Sequence, residues 1–183
     1  FRDVAPRSEI GRSSLLAVTW ATFFFDADLD GWLDIFAANG GTDESQGRDA
    51  RARISQTPLL LRNRGAGSGT GTVTFENISP ALGAAFMKPV MGRGAAYLDF
   101  DGDGDLDLAM TTLDGPAVLL RNDGANASRW LRVQVSGTSS NRSGIGAEVK
   151  VTSAAGAQTQ VVRSGSSYAS QSELTLTFGL GAD

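Results

Sequence analysis

The chain contains neither cysteine nor histidine. These absences remove whole classes of chemistry: Cys/His zinc sites, haem held by histidine, Ser-His-Asp and Cys-His nucleophiles, and histidine general bases. No disulfide can cross-link the fold. Lysine is almost as scarce, since of the 16 basic residues 14 are Arg and only Lys88 and Lys150 are Lys. The bases are scattered, so the dense basic stripe of a nucleic-acid binder is missing and no nucleic-acid partner is expected. No apolar run approaches the ~20 residues of a membrane-spanning helix, and no span is expected. There is no initiating Met and no charged-then-apolar leader, so Phe1 reads as an internal or processed start.

What is present in excess is aspartate at alternate positions. Residues 99–107 read Asp99-Phe100-Asp101-Gly102-Asp103-Gly104-Asp105-Leu106-Asp107, and residues 26–34 repeat the register as Asp26-Ala27-Asp28-Leu29-Asp30-Gly31-Trp32-Leu33-Asp34. Two carboxylates ~4 Å apart repel by roughly 4 kcal/mol at an effective dielectric of ~20, so such a gathering calls for a cation. All-oxygen ligands on a short flexible loop select a hard ion, calcium before magnesium. Two Ca2+ sites are expected, formed by Asp26, Asp28, Asp30, Trp32 and Asp34, and by Asp99, Asp101, Asp103, Asp105 and Asp107. Trp32 and Asp105 hold the position expected to offer a backbone carbonyl. Gly31 and Gly104 sit where the chain must turn sharply.

These loops are not EF-hands. The twelfth position, a Glu in an EF-hand, is Ala37 or Met110. Short apolar runs flank each loop, and the spacing predicts two strands of a hairpin in place of two helices.

Nine of the 20 acidic residues lie in the loops, leaving 11 acids against 16 bases elsewhere. The net charge of −4 and the pI of about 4.8 therefore report the loops, not a generally acidic surface, and two calcium ions would bring the chain to about zero.

The loops belong to a longer repeat. Phe1-Arg2-Asp3-Val4-Ala5-Pro6 corresponds to Phe75-Glu76-Asn77-Ile78-Ser79-Pro80, and Leu60-Leu61-Arg62-Asn63-Arg64-Gly65 to Leu119-Leu120-Arg121-Asn122-Asp123-Gly124. With a 14-residue excess in the first copy removed, the repeat is about 59 residues, built of short strands, a period typical of propeller blades. The excess falls in residues 39–57, a polar surface insertion read as a contact loop or a tolerated excursion. Residues 65–71 read as a flexible hairpin tip and Asp114-Gly115 as a hairpin turn.

The organisation expected is all-β: two β-propeller-type blades (a partial propeller) at residues 1–74 and 75–127, then a small β-sandwich-like domain at 128–183. In this last stretch Leu131, Val133 and Val135, then Val149 and Val151, then Leu174, Leu176 and Phe178 alternate with polar residues, the pattern of half-buried strands. A unit so small is expected to lean on the blades.

The acidic stretches resemble FG-GAP/VCBS-type propeller repeats. Arg129-Trp130-Leu131-Arg132-Val133, Asn141-Arg142-Ser143-Gly144-Ile145-Gly146-Ala147 and residues 163–172 resemble the ASPIC/UnbV domain, which follows such repeats in bacterial secreted proteins and in the cartilage acidic protein family. The resemblance implies an extracellular calcium-binding propeller with a C-terminal β module, secreted or at the cell surface, with the periplasm also possible. Family members usually carry several more blades, so a fragment of a larger protein is expected; completion of the sheet edges by other chains is the alternative.

Three functions follow as expectations. The first is a non-enzymatic adhesion or interaction module with a protein or glycan partner. The second is a structural subunit whose copies join through open strand edges. The third, a carboxylate enzyme of the glycoside hydrolase kind, is set aside: the ladder acids are accounted for as metal ligands, and Glu9, Glu44, Glu76, Glu148 and Glu173 show no pairing. Of the tryptophans, Trp20 and Trp130 are read as core residues and Trp32 as a contact residue at a loop tip. Asn77, Asn126 and Asn141 head glycosylation sequons.

Overall fold

The computed structural model describes residues 3–42, 54–66, 73–113, 115–124, 128–154 and 156–182. Most of the expected insertion (with Asp43, Glu44, Arg48, Arg51 and Arg53), most of the 65–71 tip, Asp114, Asn126 and the expected boundary at 125–127 lie outside these residues, as do Phe1 and Arg2.

Eleven strands form among the described residues, with one short helix, α1 (Glu9–Ser14). The first sheet is an antiparallel meander of four strands in sequence order: β1 (Thr19–Phe25), β2 (Asp34–Asn39), β3 (Leu59–Ala66) and β4 (Val73–Asn77). The second repeats it with β5 (Gly92–Leu98), β6 (Asp107–Thr112) and β7 (Val118–Leu120), and no fourth strand joins it among the described residues. Sheet order equal to chain order is what short connections between alternating apolar strands produce. No sheet closes on itself among the described residues.

The internal repeat holds in detail. Phe25 pairs with Asp34 at the mouth of the first acidic loop, and Leu98 with Asp107 at the second. Pro6 and Pro80 each enter a single 3-10 turn, Ala5–Arg7 and Ser79–Ala81. Ahead of each turn a carboxylate or amide oxygen receives the amide two residues on: Asp3 from Ala5 (2.9 Å) and Asn77 from Ser79 (3.1 Å).

The two sheets pack face to face. Phe23, Phe25, Phe36 and Leu60 of the first meet Ala95, Leu108 and Met110 of the second, with Phe86 between them. Phe23 and Phe36 stack at 5.2 Å, and Tyr97 sets its ring against Phe23 at 5.3 Å. Each fully buried aromatic removes enough apolar surface to contribute about 1.5–3 kcal/mol. The far face of the first sheet carries a separate cluster of Ala37, Leu59 and Leu61, covered by Ile10 of α1 and by Phe75.

After residue 128 the chain forms two two-stranded antiparallel ribbons, β8 (Arg129–Val133) with β11 (Leu176–Gly181), and β9 (Glu148–Ser153) with β10 (Gly156–Val161). Val162, Leu176 and Phe178 form their core. β9 alternates between exposed and half-buried residues as its sequence predicts. β11 does not: Leu176, Thr177, Phe178 and Gly179 are all buried. The reason is tertiary, because the first acidic loop lies against β11. A Cβ on Gly179 would meet Leu29 Cα at 2.6 Å, and the amide of Gly181 donates to the Leu29 carbonyl (2.9 Å).

Candidate metal centre

Each acidic loop is the turn of a hairpin, β1–β2 or β5–β6, and the backbone bends in the same way in both. The fourth position has positive φ in each, Leu29 at 56° and Gly102 at 81°, and so does the sixth, Gly31 at 91° and Gly104 at 98°. Glycine takes this conformation without a Cβ penalty, whereas Leu29 holds it at a cost of about 1–3 kcal/mol that its burial offsets.

This bend turns carboxylates inward. One oxygen from each of Asp26, Asp28 and Asp34 lies within 4.8 Å of the others, and Asp99, Asp101 and Asp107 form the equivalent group. At that separation each pair of charges repels by about 3–4 kcal/mol at an effective dielectric of ~20. The remaining sequence-predicted residues stand outside these groups of three. Asp30 and Asp103 accept the amides of Trp32 (2.8 Å) and Asp105 (3.1 Å), tightening the turn. Asp105 is buried beside the second group. The Trp32 indole, half exposed, lies over Gly65.

The ninth-position aspartates do two jobs. Asp34 accepts amides from Ala27 (3.0 Å) and Asn63 (2.7 Å), and Asp107 accepts amides from Phe100 (2.7 Å) and Asn122 (2.8 Å). Asp34 thus ties its loop to β3, and Asp107 ties its loop to the segment that follows β7. The same asparagines return the link, Asn63 donating to the Leu33 carbonyl (3.0 Å) and Asn122 to those of Ala27 (2.7 Å) and Leu106 (3.4 Å). Asp26 accepts the amides of Asp30 (3.1 Å) and Gly31 (2.8 Å).

Arginines supply the positive charge. Arg62 forms an ion pair with Asp28 and lies 3.7 Å from Asp30, and its repeat equivalent Arg121 approaches Asp101 at 3.9 Å. Arg132, mostly buried, bridges Asp99 (2.9 Å) and Glu173 (2.7 Å), joining the second loop to the C-terminal ribbons. Both oxygens of Asp28 are buried, and the Arg62 guanidinium offsets only part of the loop's negative charge. Burial pushes the Asp26 carboxyl up to about 7, with neighbouring Asp30, Asp28 and Asp34 adding to the rise against the lowering effect of the Gly31 amide. Burial raises Asp34 to about 6 against the pull of the Asn63 and Ala27 amides. Asp28 is raised as well, by burial and by Asp30, with Arg62 opposing. Hard oxygen donors, desolvated and mutually repelling, fit a divalent cation of the calcium kind.

Arg62, Arg121, Asn63, Asn122 and Arg132 were not among the residues singled out from sequence. The recurring Leu-Leu-Arg-Asn strand carried the signal for four of them, since a polar pair repeated in register beside a repeated loop points to a shared contact. Trp130 departs from the core role expected of it. It is 43% exposed, and its indole lies on Gly104, which has no Cβ to obstruct it. Trp20 donates to the Gly40 carbonyl (2.8 Å) under the Arg93 guanidinium, 4.5 Å from the ring centre. The side-chain amide nitrogens of Asn77 and Asn141 are engaged with Ser13 (3.2 Å) and the Ile145 carbonyl (2.8 Å).

The architecture defines an all-β protein of repeated antiparallel sheets with acidic hairpin loops and a C-terminal β module. Residues 137–183 match the family model described as ASPIC and UnbV. Along its whole length the chain is similar to cartilage acidic protein 1, at 33% identity to the mouse protein and 28% to that of Xenopus tropicalis, with 187 residues aligned. The human protein is likewise 33% identical. The chain spans about a quarter of the length of these relatives, 26% for the mouse protein. No helix among the described residues is long and apolar enough to cross a membrane.

Proposed function

We propose that each acidic loop binds one calcium ion, and that the protein is an extracellular, non-enzymatic interaction module in which calcium rigidifies the sheets that present its contact surface. The two sheets are FG-GAP/VCBS-type propeller blades in this reading. Asp26, Asp28 and Asp34 hold the first ion, with Asp30 and the Trp32 carbonyl completing it; Asp99, Asp101 and Asp107 hold the second, with Asp103 and Asp105. A protein or a glycan is the partner.

The observation that carries the reading is the recurrence, in two equivalent hairpins, of three carboxylates within 4.8 Å of one another at the same loop positions. The likeness to cartilage acidic protein 1 and the ASPIC and UnbV match support the extracellular assignment. Calcium at ~100 times its dissociation constant adds about 2.7 kcal/mol of stability per site. Chelation is therefore expected to lower the melting temperature and calcium to restore it, with magnesium less effective. An unchanged melt after chelation rejects calcium binding. A second reading, assembly of copies through strand edges, is favoured by the edge of β7, which no strand joins among the described residues.

A further inference from the structure

We propose that the cleft between β1, β10 and residues 172–177 binds an uncharged carbohydrate of one or two sugar units. The cleft encloses about 370 Å³, the scale of a small-ligand site and too small for a folded partner. Its lining comes from elements far apart in the chain: Phe24 of β1, Tyr97 of β5, Arg163 just after β10, Glu173 ahead of β11 and Thr177 within it.

Polar groups buried without partners carry the inference. Thr177 is 5% exposed, yet its hydroxyl has no hydrogen-bond partner among the described residues. One oxygen of Glu173 is held by Arg132 (2.7 Å), and the other, Oε1, is buried with no partner among them. Such groups are costly to bury unless something pairs with them. Burial, and after it the Glu173 carboxylate, pushes the Tyr97 phenol up, with the Arg163 guanidinium opposing, so a phenol, an acid and a base meet at this cleft.

That mixture fits a polyol. A carboxylate oxygen only accepts, a guanidinium only donates, and the Thr177 and Tyr97 hydroxyls do both. Sugar hydroxyls also do both, so one ligand can answer all four groups. Phe24 is 59% exposed and offers an apolar ring on which the C–H face of a sugar can lie. Asp26 and Glu173 line the cleft against Arg163 alone, which disfavours an acidic sugar. A peptide added as an extra strand is the competing occupant. The strand edges it needs are already engaged. The Ser167 hydroxyl receives the Thr22 amide (2.8 Å) and donates to its carbonyl (3.0 Å), closing β1. On β5 the Tyr97 amide donates to the Ser172 hydroxyl (3.2 Å), and the Tyr97 carbonyl receives the Glu173 amide (3.2 Å). Side chains are left to recognise the ligand.

The inference rests on the reading of the chain as an interaction module and selects one of its two partner classes. Its test is saturation-transfer NMR on the full calcium-supplemented chain with neutral gluco-, galacto- and manno-disaccharides, and with a threonine-rich hexapeptide as the competing probe. Transfer to at least one disaccharide is expected. Thr177→Val should raise its Kd at least fivefold without lowering the melting temperature, because removing an unpartnered buried hydroxyl leaves no other group unpaired. Phe24→Ala should raise the Kd by a similar factor through loss of the ring surface. No transfer to any disaccharide, transfer to the hexapeptide alone, or sugar binding indifferent to both substitutions overturns the proposal. A melt that still falls on chelation when no sugar binds strikes the cleft and leaves the calcium sites standing, so the two failures are told apart.

Discussion

Asp34 and Asp107 show how one side chain can carry two demands. Each carboxylate receives two backbone amides, one from its own loop and one from the asparagine in or just after the third strand, and also faces two other aspartates. Charge-assisted hydrogen bonds contribute about 1.5–3 kcal/mol each, and a buried amide left without an acceptor carries a penalty of its own. Asp34→Ala is therefore expected to cost about 3 kcal/mol or more in urea denaturation even with chelator present. Asp28 takes neither of these inter-strand amides and is held by the Arg62 ion pair, so Asp28→Ala should cost less than Asp34→Ala without metal while abolishing calcium binding at the first loop. That pair of variants separates the structural carboxylate from the ligating one.

The raised carboxyls give a second expectation at the same scale. Asp26 and Asp34 titrate at about 7 and about 6 in the fold against 3.8 as free side chains. The folded state thus binds more protons than the unfolded one between about pH 4 and pH 7. Through these groups the metal-free protein loses stability as pH rises across that window. Calcium needs the deprotonated form, so its affinity moves the other way and falls as pH drops through 7 toward 5. Thermal melts at pH 5 and pH 7.5 should show the chelated protein gaining stability from acid and the calcium-loaded protein losing it. Equal slopes with and without calcium would contradict this assignment.

At the scale of elements, two hairpins and the strand with the asparagine in or just after it repeat as units, and one arginine joins units that do not repeat. Arg132 lies on β8, yet its partners are Asp99 at the end of β5 and Glu173 ahead of β11. The Glu173 amide also donates to the Tyr97 carbonyl (3.2 Å), so the C-terminal ribbons and the second sheet meet at this point through both backbone and side chain. Breaking a buried ion pair by removing one partner costs about 3–5 kcal/mol. Arg132→Ala should accordingly speed hydrogen exchange in β8 and β11 while leaving the β1–β2 hairpin protected. Uniform loss of protection across all sheets would show that the ribbons and the sheets unfold as one.

Across the whole molecule, charge and contact are arranged around the loops. The C-terminal ribbons touch the first loop through Gly181 and Gly179, and the Ser128 hydroxyl donates to the Asp28 carbonyl (3.0 Å). They also touch the first sheet, where Ser167 both receives the Thr22 amide (2.8 Å) and donates to its carbonyl (3.0 Å). A small unit whose buried hydrophobic core among the described residues is Val162, Leu176 and Phe178 gains much of its order from such docking.

The amino-acid sequence by itself determined the acidic hairpins, their register, their repeat and the all-oxygen donor sets of their side chains. Those features are local: alternation of apolar residues, glycine at the bends and carboxylates two positions apart act within a few residues of one another. The tertiary structure alone decided that Asn63 and Asn122 close the loops, that Arg132 bridges two modules, that Trp130 lies exposed on Gly104, and that β11 is buried on both faces. Each of these joins residues far apart in the chain, and their meeting depends on how sheets stack and register, which no short-range pattern encodes.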